Sequence, residues 1–181
     1  NSEYANQNAY DAISVHGGSG FIMEYKCQRL FRDARIFSIY EGTTQLQVVA
    51  AIRYVTNGTY LGIIKEMLEK EVAPEFQALK ERVAKMVEKY EDAINYVKAA
   101  GNNDLHDFLA RRLYEMTAEI IMSLLILDDA TRAPELFAKS ANVYVRYAEG
   151  TVAGHYAYIK EFKAEDLADF LAATPEEAPA E

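Results

Sequence analysis

The segment PEFQALKERVAKMVEKYEDAINYVKAAGNN, residues 74–103, decides the fold class. In it Phe76, Leu79, Val83, Met86, Tyr90, Ile94 and Val97 follow one another at steps of three or four. That is the period of an α-helix with one apolar face, sustained for about seven turns. Pro74 suits the first helical turn, where a missing N–H costs no helical hydrogen bond. Gly101-Asn102-Asn103 stops the helix. Downstream, Asp104 is placed to cap a second helix with Leu105, Leu109, Leu113, Met116, Ile120, Leu124 and Leu127 on one face. Between Glu119 and Leu127 that helix is apolar on every side, which predicts a central position. A third helix is expected from Pro134 toward Lys160, broken near Gly150–Gly154. The connections are short and no useful stretch alternates apolar with polar. The chain therefore reads as all-α, an antiparallel helical bundle.

Upstream, Tyr4, Ala5, Asn8, Ala9, Ala12 and Ile13 share a stripe and predict a helix over residues 1–14. Gly17-Gly18-Ser19-Gly20 breaks it. A short helix is expected over Glu24–Leu30 and a connection over Arg32–Ile39. A long helix should begin at Thr43 or Thr44, with Leu46, Val49, Ala50 and Ile52 to Tyr54 as its apolar side. Asn57-Gly58 ends it, and another helix should run from about Tyr60 to Glu71. Residues 172–181, rich in Ala, Pro, Glu and Thr, read as a disordered tail.

Composition narrows the function. Half of the 181 residues are hydrophobic and only four are proline, as in a chain that folds. The net charge of −9 is uneven: residues 1–56 carry five Lys/Arg and five Asp/Glu, so the excess negative charge lies beyond them. An acidic surface argues against nucleic acid, and the apolar stripes lack the basic flank that an anionic membrane attracts. Ile120–Leu127 is the most apolar run and is far shorter than the ~20 residues of a membrane span. The lone Cys27 cannot form an internal disulfide, suits a reducing compartment, and is expected to be a buried, inert thiol. His16, His106 and His155 lack ligand spacing, so no metal site is expected. The chain opens on Asn1 rather than methionine and reads as a piece of a longer protein.

Glu41 is the candidate catalytic group. A glutamate at a helix start is usually just a solvated anion near the positive end of the macrodipole. Here Ile39 and Tyr40 precede it and Gly42 follows. Burial among such neighbours raises a carboxyl pKa toward the range of a general base. Thr43, Thr44, Gln45 and Gln47 add hydroxyls and amides at a helix N-terminus that could hold a polar or anionic ligand. The glycines at 17, 18 and 20 are most simply a turn, or else a place where backbone approaches a phosphate or ring. They are not a dinucleotide fingerprint, because no strand precedes them and the spacing differs. Arg32, Asp33 and Arg35 read as structural ion pairs.

Taken in order, Gly17-Gly18-Ser19-Gly20-Phe21, Arg32-Asp33-Ala34-Arg35 and Ile39-Tyr40-Glu41-Gly42-Thr43-Thr44-Gln45-Leu46-Gln47 resemble the C-terminal helical domain of the acyl-CoA dehydrogenases. The resemblance is firm over about residues 1–56. It implies FAD as cofactor, an acyl-CoA thioester as substrate, α,β-desaturation as the reaction and electron-transfer flavoprotein as electron acceptor. It implies a homo-oligomer in the bacterial cytoplasm or mitochondrial matrix. Glu41 matches the base that removes the α-proton, and Gly42 matches a position beside the thioester. Thr43 and Gln45, with Thr44 between them, match residues near FAD. His16, Gly17 and Gly18 match the segment meeting the ADP half of an FAD held mainly by a neighbouring subunit. Ser14 stands where the family usually has glutamine. A glutamate at 41 points to the short-, medium- or very-long-chain arrangement rather than the isovaleryl type.

The resemblance divides the chain into the end of a dehydrogenase domain (1–72), a helical extension similar in position to that of the long-chain branch (73–171) and the tail (172–181). The extension is expected to be structural, with a docking face for a partner or a membrane surface as the alternative. The piece alone should be inactive. Two other readings remain open: a helical oligomerisation or docking module without catalysis, and an acyl-CoA oxidase that passes electrons to oxygen.

Overall fold

A computed structural model of the chain describes residues 2–170. They form helices α1 (Ser2–His16), α2 (Gly18–Phe21), α3 (Cys27–Ala34), α4 (Thr44–Thr56), α5 (Thr59–Glu69), α6 (Gln77–Ala99), α7 (Asn103–Arg132) and α8 (Pro134–Glu161). Three 3-10 turns cover Arg35–Ser38, Pro74–Phe76 and Ala164–Asp169. No strand occurs among the described residues, so the all-α reading holds. The anticipated tail, 172–181, lies outside them. The chain divides into two compact units, Asn1–Ala50 and Ala51–Glu181, with the boundary inside α4.

The second unit is built on α6, α7 and α8, each packed on the other two. Their connections are short, which forces neighbours to run antiparallel. Leu105, Leu109, Leu113, Met116, Ile120 and Leu127 form one fully buried ridge of α7. Met86 and Tyr90 of α6 and Ile159 of α8 are buried as completely. Each such aliphatic side chain contributes about 1.5–3 kcal/mol of transfer free energy. Tyr90 is hydrogen-bonded to Thr117 at 2.7 Å, and Thr117 also reaches the Leu113 carbonyl at 2.8 Å. Burial pushes the Tyr90 phenol up to about 12, so it stays protonated.

Ion pairs tie the helices at their margins. Arg82 meets Glu149 at 2.6 Å, Lys160 meets Asp92 at 2.9 Å, and Lys65 meets Glu91 at 2.8 Å. The Arg112 guanidinium lies 3.4 Å from the centre of the Tyr158 ring. Glu115 of α7 accepts from Arg111 on its own helix and pairs with His155 of α8 at 3.0 Å. Burial alone would raise the Glu115 carboxyl, but the bonds from His155 and Arg111 outweigh it and hold the group below its ordinary 4.5. A depressed folded-state pKa stabilises the fold above the unfolded value, and that stabilisation is lost as pH falls through the folded one. Denaturation midpoints taken across pH should therefore drop below about pH 4.5, and Glu115→Gln should flatten that limb. An equally steep acid limb in the variant would show that Glu115 does not contribute.

Five expectations need correction. The short third helix starts at Cys27 rather than Glu24, and Arg32–Ser38 is helical rather than a connection. Asn102, not Asp104, caps α7: its side chain accepts from the Leu105 amide at 3.0 Å, and Asp104 lies inside the first turn. α8 runs unbroken through Gly150 and Gly154, because neither glycine is needed for a turn and the flanking residues continue the helix. On α4 the buried residues are Val48, Ile52 and Val55, while Leu46, Val49 and Tyr54 are exposed. The central place of α7 holds in part, since Met122 and Leu125 face outward from its all-apolar stretch.

In the first unit α1 packs on α2, α3 and the 3-10 turn after α3. Asn6 donates to Ser38 at 2.9 Å, and the Tyr10 and Phe31 rings lie 6.2 Å apart. Only small or medium groups are buried here: Gly20, Cys27, Ala34, Ser38 and Val48. Cys27 is free and buried, as its lack of partners predicts.

Candidate functional site

The candidate site is the turn that feeds α4. Glu41 has φ of 52°, and it is the one non-glycine residue at positive φ among those described. Gly42 follows at φ 98°. The left-handed region disfavours a residue with a Cβ, so the turn stores strain that its surroundings must hold. Gln47 does so by donating from Nε2 to the Glu41 carbonyl at 3.1 Å. A Cβ on Gly42 would lie 3.1 Å from that same Nε2. Glycine at 42 thus serves both the backbone sign and the space that Gln47 occupies.

The Tyr40 hydroxyl donates to Glu41 Oε1 at 3.1 Å. Thr43 Oγ1 lies 3.4 Å from the Leu46 amide, and the Thr43 carbonyl accepts from Gln47 N at 3.1 Å as the helix begins. Thr44 donates to Glu3 Oε1 at 2.5 Å, which ties the turn to the start of α1. Gln45 is exposed on the first turn of α4. Glu41, Thr43 and Gln45 are exposed along this turn, and Gly42 and Thr44 between them are half-buried.

His16, Gly17 and Gly18 stand apart from it. They close the far end of α1, thirteen residues on from Glu3, which is about 20 Å at the helical rise. His16 Nδ1 lies 2.9 Å from the Ala12 carbonyl. Gly17 has φ of 58°, and a Cβ on Gly17 or Gly18 would meet nothing within 4 Å. That leaves backbone open to close approach by a flat or phosphate-bearing group. Such an edge, with the hydroxyls and amides heading α4, is a donor set that fits the two ends of FAD.

Glu41 is exposed, as are Ile39, Tyr40 and Leu46 around it. The dry environment expected of a catalytic carboxylate is not supplied among the described residues. The sequence reading took Tyr40 as an apolar neighbour and missed its hydrogen bond. Gln47, expected among the groups that could hold a ligand, instead spends its amide on the strained peptide; a side chain bonding back six residues has no periodic signature. The cluster at 32–35 is likewise different from expectation: Asp33 pairs with Arg29, one turn away, at 3.9 Å. Among the described residues no group of His, Cys, Asp or Glu could hold a metal, and no helix is long and apolar enough to cross a membrane.

Two adjoining protein families account for this chain. The profile described as acyl-CoA dehydrogenase, C-terminal domain, matches residues 1–55, and that described as acyl-CoA dehydrogenase C terminal matches residues 56–167. The chain belongs to the acyl-CoA dehydrogenase family. An acyl-CoA dehydrogenase family protein of Porphyromonas gingivalis has a similar structure, with a TM-score of 0.60 and 38% identity, over 63% of this chain and 98% of that one. Caffeyl-CoA reductase-Etf complex subunit CarC of Acetobacterium woodii is 52% identical over 46 residues, 25% of this chain and 12% of that protein. An acyl-CoA dehydrogenase of Bacillus subtilis is 40% identical over 58 residues, 32% of this chain and 15% of that protein. The chain thus spans only 12% and 15% of the lengths of these two curated relatives.

Proposed function

We infer that this chain is the closing part of an FAD-dependent acyl-CoA dehydrogenase in which Glu41 exchanges the α-proton of an acyl thioester. The observation that carries the reading is the left-handed Glu41 peptide, held by Gln47 at the head of α4. Backbone strain is retained where it aims a group, and here it aims a carboxylate. The α-carbon beside a thioester is too weak an acid for a carboxylate in bulk water. Water exclusion raises the basicity of the carboxylate, and donors at the thioester oxygen stabilise the enolate. Gly42 leaves room for the thioester beside that carboxylate. Thr43, Thr44 and Gln45 orient the flavin end of FAD, and His16, Gly17 and Gly18 take its ADP end from a neighbouring subunit. FAD, when bound, supplies the acceptor for the hydride leaving the β-carbon.

The exposed Ile39, Tyr40 and Leu46, with Phe21, Met23 and Phe37, form apolar surface of the kind that marks an interface. The remainder of the dehydrogenase covers it and dries the site. Electron-transfer flavoprotein is the electron partner, and the enzyme acts as a homo-oligomer. The CarC relative, named as a reductase, favours a second reading in which the same carboxylate returns a proton to the α-carbon of an unsaturated acyl-CoA. The two are one reaction in opposite directions.

The longer protein that carries this chain should lose its flavin absorbance when a saturated acyl-CoA is added, and an unsaturated acyl-CoA should restore it. Hydrogen peroxide formed in proportion to turnover would replace this reading with an oxidase. A protein that purifies without flavin yet still binds a partner would reduce the chain to a docking module. The isolated 181 residues should hold no FAD, and tight binding by them alone would overturn the claim that the pocket is shared.

A further inference from the structure

Two side chains at the start of α1 hold opposite ends of the strained turn. Asn6 Nδ2 donates to Ser38 Oγ at 2.9 Å, where the chain enters the turn. Thr44 donates to Glu3 Oε1 at 2.5 Å, where the chain leaves it. Asn6 also donates to the Ser2 carbonyl at 2.8 Å, so both of its amide hydrogens are committed and the side chain is fixed. Ser38 is only 6% exposed, which makes its hydroxyl a firm anchor. All four residues belong to the first compact unit.

Glu3 and Asn6 stand three residues apart on one helix, which puts their Cβ atoms about 5–6 Å from each other. Ser38 and Thr44 stand six residues apart, a length of chain that reaches ~20 Å when extended. Tying both ends to neighbouring points on α1 favours a chain that folds back between them. It does so at Glu41 and Gly42, the two positive φ values between the ties. A residue with a Cβ keeps such a conformation where its surroundings over-determine it. Gln47 grips the Glu41 carbonyl from within α4. The pair on α1 sets where the backbone enters and leaves.

We propose that Glu3 and Asn6 are positioning residues for Glu41, acting through Thr44 and Ser38 to hold the turn that aims its carboxylate. The proposal rests on the reading of Glu41 as the group that exchanges the α-proton. Proton transfer from carbon is sensitive to placement, because a shift of about 1 Å at a reacting group can cost 10²-fold in rate. Two ties outside the turn therefore matter to the chemistry although neither belongs to it.

Glu3→Ala and Asn6→Ala in the longer protein should each lower kcat by about three- to tenfold, the effect of one hydrogen bond, with KM changing less. Glu3→Gln keeps an acceptor for the Thr44 hydroxyl and should keep the parent kcat. Glu3 is exposed, so its truncation takes nothing from the core. The second readout is hydrogen exchange at Tyr40 and Gln47, whose amides donate to the Ile36 and Thr43 carbonyls at 2.8 and 3.1 Å. Both amides should exchange about tenfold faster in the alanine variants, with α6 to α8 unchanged. Parent exchange in both alanine variants removes the clamp. Faster exchange at an unchanged kcat leaves ties that serve the fold alone and overturns the positioning role. Equal loss of rate in Glu3→Gln and Glu3→Ala overturns the part given to the Thr44 bond. Glu41→Gln at the parent rate overturns the catalytic reading but leaves the exchange result standing, so the two failures are told apart.

Discussion

Glu41→Gln in the longer protein should lower acyl-CoA turnover by about 10²–10⁴-fold, the range carried by a positioned general acid or base. The amide has the shape of the carboxylate and can still accept from the Tyr40 hydroxyl, but it cannot take a proton. The bond from Gln47 reaches the backbone carbonyl of residue 41, so the substitution leaves the turn intact. Flavin content and melting temperature should not move. Glu41→Gly makes the sharper contrast. Glycine at φ 52° relieves a conformation that costs a side-chain-bearing residue about 1–2 kcal/mol. That variant should be as inactive as the glutamine one yet melt no lower than the parent, which marks strain kept for function. Gln47→Ala should lower kcat through loss of the carbonyl bond, with KM changing less. If Glu41→Gln retained a third of the parent rate, the proton would be taken elsewhere.

The bundle was legible because its signal is local and redundant. Phe76 to Val97 and Leu105 to Leu127 repeat one period for many turns, and all the residues named on those stripes are buried. The reading faltered where apolar residues occupy more than one face. On α4 both Val48-Ile52-Val55 and Leu46-Val49 are helical stripes, and composition does not say which one a neighbour covers. The same ambiguity made α7 look enclosed on all sides although Met122 and Leu125 point outward. Gly150 and Gly154 were read as a break because glycine lowers helix propensity. That bias is smaller than the packing of Val145, Ala148 and Val152, which carries the helix through. At the site, residue types and order pointed to Glu41 and its neighbours. The sign of its φ and the grip of Gln47 are three-dimensional facts with no trace in periodicity. The solvent exposure of Glu41 is equally illegible, since Ile39 and Tyr40 are apolar or aromatic in sequence and yet exposed beside it.

Gly20→Ala should be among the most destabilising single substitutions in the first unit, while Gly18→Ala should scarcely change its fold. The two stand two residues apart in one glycine cluster. A Cβ at position 20 would come 2.5 Å from the Ile13 carbonyl oxygen and 2.9 Å from the Ile13 Cα. Those are backbone atoms of α1, so relief calls for moving a helix rather than a side chain. Overpacking of this kind costs about 1–3 kcal/mol and occasionally more. The unit buries few large side chains to offset it, so its loss should show as early hydrogen exchange over residues 2–50 while α6 to α8 stay protected. At position 18 the space is open and φ is ordinary. Gly18→Ala should therefore fold normally and, in the longer protein, lose FAD more readily if backbone approach to the cofactor is what the residue provides. The same cluster then contains one glycine kept for helix packing and one kept for a ligand. Equal destabilisation by both variants would make the cluster a simple turn and remove Gly18 from the cofactor site.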